Sequence, residues 1–234
     1  MGTVSASDSP SQVFLLSPAS LGGERARQLT SPEARFDTAR RYRSPEGVPI
    51  EEAFAFLSSL YFRGKIAYAR HFARPPAELP GTGVLVITPS FGLVPEGWPL
   101  TLERMEALRH NAIDVRNPDY AEPLREHARA LRESMPEDTR VVLLGSIATG
   151  KYVDLLLPVF GERLLFPRCF VGIGDMSRGS ILLRAVREDQ ELEYSTLDIP
   201  RHRPRITKTP SEPRTRETSP TEPAKASRRG RRGS

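Results

Sequence analysis

The sequence predicts an α/β fold: a single domain with a mixed or mostly parallel sheet, helices on both faces, and disordered termini. Two runs, residues 83–88 and Arg140–Leu144, are apolar and β-branched enough to be strands buried on both faces. Segments of helical periodicity flank each run, and that alternation builds a sheet covered by helices. The chain has 234 residues, 38% of them hydrophobic, which suffices for one core but not for two.

The elements follow in order. Residues 1–11 are small and polar and are expected to be disordered, so the domain spans 12–200. Val13-Phe14-Leu15-Leu16 reads as the first strand, closed by Ser17-Pro18, and Ser20 is placed to cap a helix over 21–29. Ser31-Pro32-Glu33 and Ser44-Pro45-Glu46 each set a capping hydroxyl before a proline at the first helical position. The first should open a helix of about three turns and the second a turn or short helix. Over 51–73, Ala53, Leu57, Tyr61, Tyr68 and Phe72 fall near one stripe, a long helix that Gly64 is expected to split.

Helices over 100–108 and 121–135 separate the two buried strands. After a loop at 146–151 comes a short helix that Pro158 must end or kink. Residues 163–171 predict an edge strand, because Pro167 cannot donate a ladder hydrogen bond. A turn at 172–175, a helix at 177–187 and a last strand at 192–197 complete the domain.

The formal charge of +5 is unevenly distributed. Residues 201–234 hold eleven Lys/Arg against three Asp/Glu, a net +8, which leaves −3 for residues 1–200. This Pro-, Ser- and Arg-rich tail cannot offset its ordering entropy and is expected to be disordered, binding polyanions nonspecifically through counterion release. One cysteine, Cys169, excludes an internal disulfide framework and a thiolate zinc cluster, and four histidines make an imidazole metal site unfavourable; no metal or cofactor is expected. No apolar run approaches the roughly 20 residues that span a bilayer, and the first residues lack a signal-peptide pattern. A soluble, cytoplasmic protein without a membrane partner is therefore expected.

Two glycine-bearing loops carry the functional expectation. Gly145-Ser-Ile-Ala-Thr-Gly150-Lys151 follows a strand and precedes a helix in the pattern G-x-x-x-x-G-K, where backbone amides, a helix dipole and an ammonium favour an anion. Ser146, Thr149, Gly150 and Lys151 are the candidate ligand-binding residues. Tyr152 stands where a nucleotide triphosphatase needs Ser or Thr for Mg²⁺, which disfavours that class. The alternative is a tight turn whose glycines only permit close packing.

The second loop runs from Gly172 to Gly179. Ser177 or Asp175 would cap its helix, leaving Arg178 in a first turn where a cation opposes the macrodipole; this marks Arg178 as a candidate ligand-binding residue. An ion pair with Asp175 or Glu162 is the alternative. If a reaction occurs, Asp175 is the candidate general base and Tyr152 the candidate for stacking on or hydrogen-bonding the substrate. Within the aromatic and basic run 61–74, Arg63, Arg70 and Arg74 would fall within about 40° of one another on a continuous helix. They are candidate nucleic-acid-binding residues, unless this is only the solvated face of an amphipathic helix.

In order along the chain, Leu16-Ser17-Pro18-Ala19, Phe62-Arg63-Gly64-Lys65, Thr88 to Leu93, Leu144 to Tyr152, and Ser177-Arg178-Gly179 with Leu182-Leu183-Arg184 resemble the motifs of the YaaA-type peroxide-stress proteins. Ser20 stands where that family has Lys, and Val94-Pro95-Glu96 follows the Gly92-Leu93 turn in place of an Arg. The resemblance implies an α/β domain with a positively charged cleft and a DNA-associated role in oxidative stress. The expectation is a bacterial protein binding a phosphate-bearing ligand, nucleic acid foremost. The alternatives are an enzyme acting on a nucleotide or nucleobase, and an interaction module whose tail alone binds polyanions.

Overall fold

The computed structural model describes residues 10–58 and 60–196. β1 (Gln12–Leu16) leads to α1 (Glu24–Thr30), α2 (Asp37–Tyr42), the two-residue β2 (Val48–Pro49), α3 (Ile50–Ser58) and α4 (Leu60–Phe72). β3 (Val84–Ile87) turns back into β4 (Leu93–Pro95), followed by β5 (Pro99–Leu100), α5 (Leu102–His110) and α6 (Pro118–Glu133). Then come β6 (Arg140–Leu144), α7 (Val153–Phe160), β7 (Leu164–Pro167), α8 (Asp175–Arg187) and β8 (Tyr194–Thr196). The α/β class expected from the sequence is the class observed. The expected tail at 201–234 and most of the expected disordered start lie outside the described residues.

The main sheet has six strands in the order β4-β3-β1-β6-β7-β8. β3, β1, β6 and β7 run parallel, and the two edges, β4 and β8, are antiparallel to their neighbours. β1 sits centrally because all five of its side chains are buried and alternate between two cores. Phe14 and Leu16 point into the core built with α3, α4 and α8, whereas Val13 and Leu15 point into the core built with α6 and α7. The direction in which strands are added therefore reverses beside β1: its outgoing connection leads to β3 on one side, and β6 pairs on the other. In open α/β sheets such a switch opens a crevice at the carboxyl ends of the strands.

Several sequence expectations are corrected. β7 is an interior strand, not an edge: its pairing with β6 stops at Leu165, so the missing N–H of Pro167 costs no ladder bond on that side. Ser31 organises a turn, its Oγ accepting the Glu33 N–H at 3.3 Å, and the helix that follows begins at Asp37 and has only six residues. Gly64 does not split the long helical stretch; α3 ends at Ser58, and Gly64 lies within α4. Its role is close approach, since a Cβ there would lie 2.8 Å from the Gly179 carbonyl oxygen, and one on Gly179 would lie 2.9 Å from the Leu60 carbonyl oxygen. α4 and α8 thus touch backbone to backbone. α8 begins at Asp175 with Gly174 as its N-cap, two residues before the expected start, so Asp175 faces the positive end of the helix dipole and Arg178 does not.

Candidate functional site

A cleft of about 730 Å³ opens at the carboxyl ends of the parallel strands. Ser17 to Gly22 after β1, Pro89 after β3 and Ser146 after β6 form its walls from three loops. α5 contributes Arg109, with Asn111 just beyond; the turn into α7 contributes Lys151 and Tyr152; α4 and α8 contribute Tyr61 and Asp175.

Under the Ser17 loop lies Lys65 of α4, 1% exposed. Its Nζ donates to the Ser17 carbonyl oxygen and lies 2.9 Å from Ser17 Oγ. The rings of Tyr61 and Phe62 stand 4.5 Å and 4.8 Å from it. Among the described residues no carboxylate pairs with this ammonium. Burial pushes the Lys65 pKa down to about 7, with Asp175 acting to raise it and Arg178 to lower it. Ser17 Oγ in turn is 3.2 Å from the Leu144 carbonyl oxygen, tying β1 to β6 across the switch. Among the described residues the buried Tyr61 hydroxyl has no hydrogen-bond partner, and burial raises its pKa to about 12.

The residues picked from the sequence are brought together in part. Lys151, Ser146, Tyr152 and Asp175 line this one cleft. Lys151 stands in a turn two residues before α7, its carbonyl held by the Tyr120 hydroxyl at 2.7 Å. Thr149 is exposed and Gly150 sits behind the turn, where at φ +71° its absent Cβ would lie 2.6 Å from the Asp154 carboxylate. That acid occupies the start of α7, so the loop closes on its own side chain rather than on an open cradle.

Arg178 lies behind the cleft wall, donating to the Phe170 carbonyl at 3.1 Å and reaching Asp175 at 3.4 Å. The pairing with Asp175 is the ion pair that the sequence offered as the alternative to ligand binding. Asp175 projects into solvent, and Tyr152 is buried, which raises its pKa.

Arg63, Arg70 and Arg74 are not part of the cleft. Arg70 bridges Glu51 at 2.9 Å and Glu96 at 2.8 Å, Arg74 pairs with Glu191 at 3.1 Å, and Arg63 is exposed.

Sequence reasoning missed Lys65, Ser17, Arg109 and Asn111 as site residues. One signal pointed to Lys65: with Tyr61, Phe62, Tyr68 and Ala69 three or four positions away, it stands on the apolar stripe of its helix, where a lysine must be buried. Also unforeseen is a groove of about 820 Å³ between α6 and α7, lined by Arg125, Arg129, Arg132 and Arg163 near the residues that precede β6 and β7. Among the described residues no group of three or more His, Cys, Asp or Glu is placed to hold a metal ion, and no helix is long and apolar enough to cross a membrane.

Fold and cleft together define a layered α/β protein with an open, mostly parallel sheet and a cation-lined crevice at its switch point. No family model, curated protein or solved structure matches the chain.

Proposed function

We propose that this protein binds a phosphate-bearing ligand of nucleotide size, as a free nucleotide or as one unit of a nucleic acid, in the cleft at the carboxyl ends of β1, β3 and β6. The observation that carries the reading is the position of Lys151 and Arg109 on a 730 Å³ crevice at the switch point of the sheet. Two cations on separate walls suit an anion held between them, with Ser146 and Asn111 as neutral hydrogen-bonding groups. Pairing of Arg70 and Arg74 within the fold favours this local site over a basic stripe along α4. A cytoplasmic location and a role in stress rest on the YaaA-type resemblance and the composition.

The test is a binding measurement on the full chain with labelled nucleoside mono- and triphosphates and a short single-stranded oligonucleotide. Lys151→Ala and Arg109→Ala should each weaken saturable binding about tenfold, the loss of one charge-assisted contact. Arg129→Ala should leave it unchanged. Equal binding by all variants, abolished by moderate salt, would assign the interaction to nonspecific basic surface instead.

A further inference from the structure

We propose that Ser17 and Lys65 form a nucleophile and general-base pair at the floor of the cleft, and that the protein hydrolyses an ester, thioester or amide through an acyl-serine at Ser17. Their contact is the first support: Nζ and Oγ are 2.9 Å apart, within the range for proton transfer. Hydrogen-bond accounting is the second. Nζ donates to the Ser17 carbonyl and to Oγ, whose own hydroxyl reaches the Leu144 carbonyl at 3.2 Å; a neutral Lys65 has two N–H groups and one lone pair, so the same 2.9 Å contact reverses when that hydroxyl turns from Leu144 to the lone pair. A charged Lys65 has three donors and only these two oxygen partners, with aromatic faces beside it and no carboxylate among the described residues. The third support is place: Ser17 follows β1 and lines the cleft, as does Tyr61, whose buried hydroxyl has no hydrogen-bond partner among the described residues and can donate to an oxyanion formed beside it.

The ionisable groups facing Lys65 are Asp175 and Arg178 of α8, opposite in their effect, and Tyr61 on its own helix. Burial lowers its pKa towards neutrality, to about 7, which favours the base form far more than in a solvated lysine.

In the first half-reaction Ser17 Oγ bonds to the carbonyl carbon while its proton passes to Lys65 Nζ. The bond from that carbon to the leaving oxygen, sulfur or nitrogen then breaks, and Lys65 returns the proton to the departing group. Water adds to the acyl-serine, giving a proton to Lys65; the Oγ–carbon bond breaks and Lys65 reprotonates Oγ. The net change is acyl donor plus water to carboxylic acid plus leaving group.

The probe is a fluorophosphonate, which phosphonylates an activated serine with loss of fluoride, applied to the full chain and read by intact mass and peptide mapping. One label per chain is expected at Ser17, at a rate that rises with pH through about 7. Ser17→Ala should take no label. Lys65→Met, which keeps the length and volume of the side chain, should be labelled on the order of a hundredfold more slowly while retaining the wild-type circular dichroism spectrum. Mapping on the wild-type chain makes the outcome independent of whether either variant folds. No label, a label on another serine, or an unchanged rate in a folded Lys65→Met overturns the proposal. The pair does not depend on the phosphate-ligand reading: a chain labelled at Ser17 that binds no nucleotide sustains the one and removes the other.

Discussion

At the carboxyl ends of the parallel strands the cleft rests on one lysine that is almost wholly buried, whereas the groove between α6 and α7 displays arginines, Arg129 and Arg132 among them, to solvent. The same sign of charge behaves differently in the two places. In the groove, water and salt screen each guanidinium within about 10 Å at 0.1 M ionic strength, so its effect is long-range attraction that weakens with salt. In the cleft, burial itself shifts the protonation equilibrium of Lys65, and the charge becomes dependent on pH and on a few neighbours.

The largest effect expected to sharpen this contrast is a pH dependence of stability. Lys65 has a folded-state pKa near 7, below its unfolded value of 10.5. Between those values the unfolded chain binds the proton and the folded chain does not, so stability rises with pH across this window and is flat below it. Above about pH 10 the sign reverses, because Tyr42, Tyr61 and Tyr68 have pKa values raised to about 12 by burial and the folded state then holds more protons. Denaturant unfolding from pH 6 to 11 should therefore show a maximum near pH 9 to 10, with a rise on its acid side of a few kcal/mol. Lys65→Met should abolish that rise and leave the alkaline fall. A wild-type profile flat from pH 7 to 9 would erase the distinction between the two regions.

Next in size is Gly179→Ala. The added methyl meets the backbone of Leu60 and Tyr61, and pushing α8 from α4 should cost about 1–3 kcal/mol in unfolding free energy, beyond the small gain in helix propensity. Because α4 carries Lys65 and α8 carries Asp175, the acid limb of the pH profile should shift with it; the groove lies against neither helix and should keep its salt response. Smaller again is Lys151→Ala, expected to weaken saturable ligand binding about tenfold with stability changed by less than about 0.5 kcal/mol. Smallest is the double variant Arg129→Ala with Arg132→Ala. Chemical unfolding should place it within about 0.5 kcal/mol of wild type, and its polyanion binding should lose roughly one unit of salt slope per arginine that contacts phosphate.

The sheet was legible in the sequence wherever a strand is buried on both faces. β3 and β6 announce themselves as continuous apolar runs, and Val13 to Leu16 does so for β1. β4, β2 and β5 have two or three residues each, too few for any period to register, and their strand character comes from pairing partners far along the chain. Pro167 pointed to an edge because a proline rules out a donor, but it does not say where the neighbouring ladder stops. The cleft was half legible. Lys151 and Asp175 stand in glycine turns that sequence can mark, whereas the Lys65–Ser17 contact joins residues 48 positions apart that only the crossing of α4 over the end of β1 brings together. A glycine motif suggested a phosphate cradle at 145–151, and it could not reveal that Asp154 folds back over Gly150.

The central place of β1 also bears on how the molecule is made. Its two neighbours, β3 and β6, lie about 70 and 128 residues further along, since Phe14 pairs with Val84 and Val142. A chain synthesised from its amino end, at about 5–20 residues per second, therefore exposes a strand with four consecutive apolar residues, Val13 to Leu16, for several seconds before either partner emerges. Both long closures must precede a complete sheet, which predicts slow, nonlocal folding and a nascent chain that calls on holding chaperones until Leu144 has left the ribosome.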